Sequence, residues 1–163
     1  MRIEPTKGRR PDDHSRESWG KANEFGAPDG IKFHPWPDDR DMPTHSMPAL
    51  EAGKCAELQG GEAFLKYHEA LLKLYFEDNE DISDPKVLVK LAKQVGLDVK
   101  RFKKDLESGS QRAAILADLA EAQQKKIQGI PTAIFLDKQG AIRIVGEVKL
   151  EQYKRVVDWL LAT

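Results

Sequence analysis

At Pro131 the spacing of apolar residues changes from the helical period of about 3.6 residues to the strand period of 2, and this change divides the chain. On the N-terminal side five helical segments follow one another. Residues 46–59 (SMPALEAGKCAELQ) tolerate proline in a first turn, and Leu50, Cys55 and Leu58 are the larger apolar groups there. Phe64, Tyr67, His68, Leu71, Leu72, Tyr75 and Phe76 fall at i, i+3, i+4, i+7, i+8, i+11 and i+12, which predicts an amphipathic helix over 62–76. Ser83-Asp84-Pro85 opens a third helix with the stripe Val87, Leu88, Leu91 and Val95, closed by Gly96. Asp98 caps a short helix bearing Val99, Phe102 and Leu106 that stops near Gly109. Ser110 caps a longer one with Ile115, Leu116, Leu119, Ala122 and Ile127, ended by Gly129 and Pro131.

Beyond Pro131, Thr132-Ala133-Ile134-Phe135-Leu136 and Ala141-Ile142-Arg143-Ile144-Val145 are β-rich runs. The turn Asp137-Lys138-Gln139-Gly140 joins them, so they form an antiparallel hairpin. Leu150, Tyr153, Val156, Val157, Leu160 and Leu161 lie on one side of a terminal helix, and that side is expected to cover the hairpin.

The first 48 residues hold seven of the nine prolines, which bars a long uninterrupted helix there. The region reads as an extended arm. Within it, Ser15 is placed as the cap of a short helix with Trp19, Ala22 and Phe25 on one side and Gly26 as a left-handed stop. Trp19, Phe25, Phe33 and Trp36 require a surface on which the arm can lie, since isolated aromatics would otherwise face water. The predicted organisation is an arm over 1–43, a helical segment over 44–129 and a hairpin-plus-helix over 130–163.

Charge excludes several classes of function. Twenty-six Lys and Arg nearly balance 27 Asp and Glu, so no overall field attracts nucleic acid. No apolar run reaches the roughly 18 residues a membrane helix needs, and MRIEPTKGRRPDDHSRESW has no apolar stretch of the signal-peptide kind. The expectation is a cytoplasmic protein with neither nucleic acid nor membrane as partner.

One cysteine, Cys55, permits no internal disulfide, and its place among small apolar residues reads as a structural thiol. His14, His34, His45 and Asp38-Asp39-Arg40-Asp41 match no zinc spacing and read as solvated loop residues, so no metal is predicted. His68 is read as a half-buried histidine of its helix.

The order helix, Gly-Ile-Pro-Thr, strand, glycine turn, strand, glycine, helix resembles the C-terminal half of thioredoxin-like domains. Further residues carry a resemblance to the DsbA family, and in particular to its FrnE-like oxidoreductase branch, over most of 44–161. They are Thr44, Ala49-Leu50, Ala52, Ala56 and Gly60; Phe76 before Asp81-Ile82-Ser83-Asp84; and Val87-Leu88, Leu91-Ala92 and Gly96-Leu97-Asp98. The resemblance implies an α/β fold, predominantly helical: a partial thioredoxin fold made of hairpin and terminal helix, carrying a DsbA-like helical insert.

It implies a cis proline at Pro131 and a substrate-facing loop of Ile130, Pro131 and Thr132, whose backbone pairs with an extended peptide or thiol substrate. Family members catalyse thiol–disulfide exchange through a CxxC at a helix N-terminus, where the thiolate is stabilised. That pair is absent from this sequence, as is the strand-helix-strand unit that would carry it, so no catalytic residue is assigned. The expected partners are thiol- or disulfide-containing proteins or small molecules, together with a missing N-terminal half or a second copy of the chain. The natural product is then expected to be longer than this sequence or assembled from two pieces. Two other readings stand beside the oxidoreductase one: a glutathione-dependent enzyme of the 2-hydroxychromene-2-carboxylate isomerase type, with glutathione as cofactor, and a non-catalytic thiol- or peptide-binding module.

Overall fold

The computed structural model describes Pro5, Gly8, residues 10–138 and residues 140–162. Two compact units emerge, spanning 1–115 and 116–163, with the boundary inside a helix.

In the first unit, α1 (Asp13–Gly26) leads through a 3₁₀ turn (Ala27–Asp29) into an extended segment. The helices α2 (Met47–Glu57), α3 (Gly61–Phe76), α4 (Pro85–Gln94) and α5 (Val99–Ser108) follow. Side-chain caps fix the starts of α4 and α5. Asp84 accepts from the Lys86 N–H with Pro85 next in line, and Asp98 accepts from the Arg101 N–H at 3.0 Å.

The core of this unit is built on small residues. Ala49, Ala52, Cys55 and Ala56 form the buried face of α2 against Tyr67 of α3, Leu88, Leu91 and Ala92 of α4, and Phe102 of α5. Small side chains let helix axes approach closely, while the larger Leu58 is left 44% exposed. Glu51 is also buried on α2, where Arg112 donates to its carboxylate at 2.9 Å. Gln59 locks the α2 end to α5 by a pair of bonds: its amide donates to the Asp98 carbonyl and its oxygen accepts from the Asp98 N–H.

Several details of the arm differ from the sequence reading. Asp12, not Ser15, caps α1, since its carboxylate accepts from both the N–H and the hydroxyl of Ser15. Gly26 is right-handed; a Cβ there would sit 3.1 Å from the Ile31 Cβ, so close approach explains the glycine, and the left-handed stop is Gly30 (φ 76°). Phe25 is 66% exposed, off the packed side. Trp19, Phe33 and Trp36 do find their surface, against Tyr75 and Phe76 at the end of α3. The His34 N–H bonds to the Phe76 carbonyl at 2.8 Å, and the Asn79 amide to the Pro35 carbonyl at 3.1 Å, which stitches the arm down. His68 is exposed rather than half-buried, its ring stacked on Phe64.

The second unit contains most of α6 (Arg112–Gln124), strands β1 (Thr132–Leu136) and β2 (Ala141–Val145), and α7 (Leu150–Ala162). The strands pair antiparallel from Thr132↔Val145 to Leu136↔Ala141, and the turn closes when the Gly140 N–H donates to the Asp137 carboxylate. Gln139 of that turn lies outside the described residues. Phe135 of β1 meets Tyr153 of α7 at 6.3 Å between ring centroids, as expected of a helix covering the hairpin. Among the described residues of this unit none is fully buried.

Helix α6 stops at Gln124, short of the predicted 129, because Lys126 turns left-handed (φ 51°). The Ile127 N–H then reaches back to the Ala122 carbonyl, a six-to-one closure usually built on glycine. A side chain in this conformation costs roughly 1–2 kcal/mol. Replacing Lys126 with glycine is therefore expected to stabilise the end of α6 by about 1 kcal/mol, read as slower amide hydrogen exchange at 120–124; unchanged or faster exchange would count against the strain.

Candidate functional site

The connector between α6 and β1 is held on three sides. The Arg143 guanidinium, on β2, donates to the Lys125 and Lys126 carbonyls at the open end of α6, where cations are favoured. Thr132 Oγ1 donates to the Gly129 carbonyl at 2.6 Å, and the Gly146 N–H donates to the Pro131 carbonyl at 2.8 Å. Between these anchors the Ile130–Pro131 peptide is cis and the Ile130 side chain is 86% exposed. Among the described residues nothing bonds to the Ile130 N–H or carbonyl.

The three residues singled out in the sequence thus form one feature: a pinned loop that presents an apolar side chain and two backbone hydrogen-bonding groups. Such groups can pair with an extended segment of another chain. Arg143 is an anchor that the sequence alone does not reveal. Its reach to α6 depends on the strand register, and only its break in the apolar alternation of β2 marks it in the sequence.

Cys55 belongs to the first unit and is fully buried on α2. Burial, followed by the negative charges of Asp105 and Glu51, pushes its thiol from 9.0 up to about 11. A thiol so held is a poor nucleophile at neutral pH. Burial likewise raises the Tyr67 hydroxyl, which donates to the Leu88 carbonyl at 3.2 Å.

Three of the His and Asp residues of the arm serve as fasteners. Asp41 pairs with Arg10 at 3.0 Å, Asp38 with Arg16 at 2.5 Å, and His34 Nδ1 lies 2.7 Å from the Glu77 carbonyl. Among the described residues no helix is long and apolar enough to cross a membrane.

Comparison with known proteins defines the class. Residues 23–155 match the thioredoxin family, and the chain belongs to that family. Its fold is thioredoxin-like, mostly helical, with a small two-stranded antiparallel sheet.

The curated relatives are more particular. The chain is 32% identical over 136 residues to the ClpXP adapter protein SpxH of Bacillus licheniformis, covering 82% of this chain and 44% of that protein. It is 30% identical over 149 residues to SpxH of Halalkalibacterium halodurans, covering 88% and 47%. The SpxH of Bacillus subtilis is 31% identical over 128 residues, covering 76% and 42%. The chain therefore spans less than half the length of these relatives. Among solved structures, a protein of Nitrosomonas europaea assigned as a protein disulfide isomerase superposes with a TM-score of 0.76 at 19% identity, over 97% of this chain and 79% of that one. At that identity the match speaks to the fold alone.

Proposed function

We propose that this chain is a protein-binding module of the ClpXP-adapter type, which uses the Ile130–Thr132 loop to pair with an extended segment of a client protein and performs no thiol chemistry of its own. The observation that carries the reading is similarity to proteins named as ClpXP adapters across most of this chain. The loop adds support, since an 86% exposed isoleucine beside two unbonded backbone groups suits strand-like pairing with a polypeptide. The one cysteine, buried and held protonated, leaves dithiol exchange without a reagent within these residues. Within the thioredoxin family we place the chain beside the DsbA-like, FrnE-like branch, on the order of its helices and the Ile-Pro-Thr loop. An adapter for ClpXP works where that protease works, which accords with a cytoplasmic address.

The test is a bacterial lysate digested by purified ClpXP with and without the chain, followed by quantitative mass spectrometry. A defined subset of proteins is expected to disappear faster when the chain is present. Ile130→Asp, which places a charge on the exposed contact, is expected to remove about tenfold or more of that acceleration, in line with loss of a central interface residue. Identical digestion with and without the chain would refute the adapter reading, and so would insulin reduction above the rate of a free thiol.

A further inference from the structure

The helices α4 and α5 carry an uneven charge. Between positions 85 and 108 there are seven Lys and Arg against three Asp and Glu, in a chain whose overall charge is −1. Lys86, Lys90 and Lys93 follow one another at helical spacing on α4, and Lys100, Lys103 and Lys104 do so on α5. All six are exposed, and of these only Lys103 has an ion-pair partner among the described residues, Glu107 at 3.7 Å.

A groove of about 340 Å³ runs between the two helices. Its apolar lining comes from Pro85, Val89 and Leu106, while Lys86 and Lys103 stand at the rim with Glu107. Val89 and Leu106 pack on the core from behind, so the groove rests on a fixed base.

We infer that this α4–α5 groove binds an acidic segment of a partner protein, inserting an apolar side chain against Val89 and Leu106 while flanking carboxylates meet Lys86 and Lys103. The inference rests on the adapter reading in one respect: it assigns a surface and a chemistry to a protein partner.

Charge complementarity selects the occupant. Lys86, with no ion-pair partner among the described residues, and Lys103, held only by an exposed 3.7 Å contact with Glu107, favour carboxylates by attraction and steer their approach. An aliphatic floor adds the burial of one side chain, at roughly 25 cal/mol per Å² removed from water. Nucleic acid fits less well, since the groove offers neither an aromatic face for stacking a base nor an arginine fork for phosphate.

The experiment selects a phage-displayed library of random dodecapeptides on the immobilised chain, and then measures the winning peptides by fluorescence anisotropy. Winners are expected to hold an apolar residue bracketed by Asp or Glu. Lys86→Glu with Lys103→Glu is expected to weaken them by about tenfold or more, and salt near 1 M, where screening acts over about 3 Å, should do the same. If the double charge reversal unfolds by circular dichroism, Lys86→Gln with Lys103→Gln is used, with a smaller loss in the same direction.

Winners without acidic residues would overturn the inference. So would acidic winners that bind the reversed variant equally well. Binding of duplex DNA or of phosphatidylserine vesicles that disappears in the variant would reassign the lysines to a polyanion. A dimer in sedimentation equilibrium that dissolves in the variant would reassign the groove to a second copy of the chain. Acidic peptides bound through Lys86 and Lys103, with no effect on ClpXP digestion, would refute the adapter reading and leave the groove standing. Digestion redirected equally by the chain and the variant, with no acidic peptide selected, would refute the groove alone.

Discussion

Replacing Phe102 with alanine is expected to lower the unfolding free energy of the first unit by about 3–5 kcal/mol, enough to remove much of the 5–15 kcal/mol of a typical domain. Phe102 is wholly buried and is the one α5 ring in the core, 5.2 Å from the Tyr67 ring. It shares its cluster with the alanines and Cys55 of α2, whose short side chains cannot reach into the space left behind. The loss therefore combines the transfer of the ring with a cavity that persists. Urea unfolding followed by far-ultraviolet circular dichroism measures it, with Trp19 and Trp36 as fluorescent reporters of the same unit. Phe102→Leu keeps most of the volume and should cost less than about 1.5 kcal/mol. A loss of less than about 1 kcal/mol from the alanine would show that the core closes over the site and that the contact with Tyr67 matters little, and a leucine loss as large as the alanine one would show that ring shape rather than volume sets the cost.

The small face of α2 also explains where the sequence was readable. The starts of α4 and α5 are legible because a cap leaves a local mark: Asp84 before Pro85, and Asp98 before Val99, each with a side chain bonded as its position implies. The buried face of α2 is legible only at Cys55, which the sequence reads as a structural thiol and the fold buries. Apolar bulk points equally to Leu50 and Leu58, yet Ala49, Ala52 and Ala56 face inward beside Cys55, because three other helices crowd one side and only short side chains fit. Glu51 between them escaped notice for the same reason, since its burial depends on an arginine 61 residues later. Gly26 misled because a glycine after a helix suggests a left-handed stop, whereas here it makes room for Ile31 and Phe33. The sequence sets the end of α6 five residues beyond where it falls, because glycine and proline are the expected terminators and Lys126 adopts the left-handed conformation without being either.

The candidate site divides along the same line. Ile130, Pro131 and Thr132 are consecutive, so a resemblance to a known loop found them together. Arg143 acts from another strand, and Lys86 and Lys103 share a groove only after α4 and α5 have folded back on each other. Local chemistry can be read along the chain; juxtaposition across 17 residues requires the register, and the sequence pattern marks only that a charged residue interrupts an apolar run.

Between pH 9 and pH 11 the first unit is expected to lose up to about 3 kcal/mol of stability through Cys55 alone. The folded thiol is held at about 11 by burial and by the nearby carboxylates, against 9.0 for an ordinary one. A folded value above the unfolded one means that the native state keeps its proton more tightly. The associated stability is complete below pH 9 and disappears as pH rises through 11, by about 1.4 kcal/mol for each pH unit. Cys55→Ala should abolish the loss that begins at pH 9. A fall that begins only above pH 10 should remain, because burial raises the Tyr67 hydroxyl from its ordinary 10.0 in the same sense. Reactivity gives an independent reading. At pH 8 the native thiolate population is about 100-fold below that of an ordinary thiol, and the sulfur is also shielded from solvent. A disulfide reagent such as dithionitrobenzoate should therefore react slowly with the native chain and at once in urea. Fast stoichiometric labelling of the native chain, or an alkaline profile identical in Cys55→Ala between pH 9 and 10, would show that the thiol is open to solvent and would return a chemical role to it.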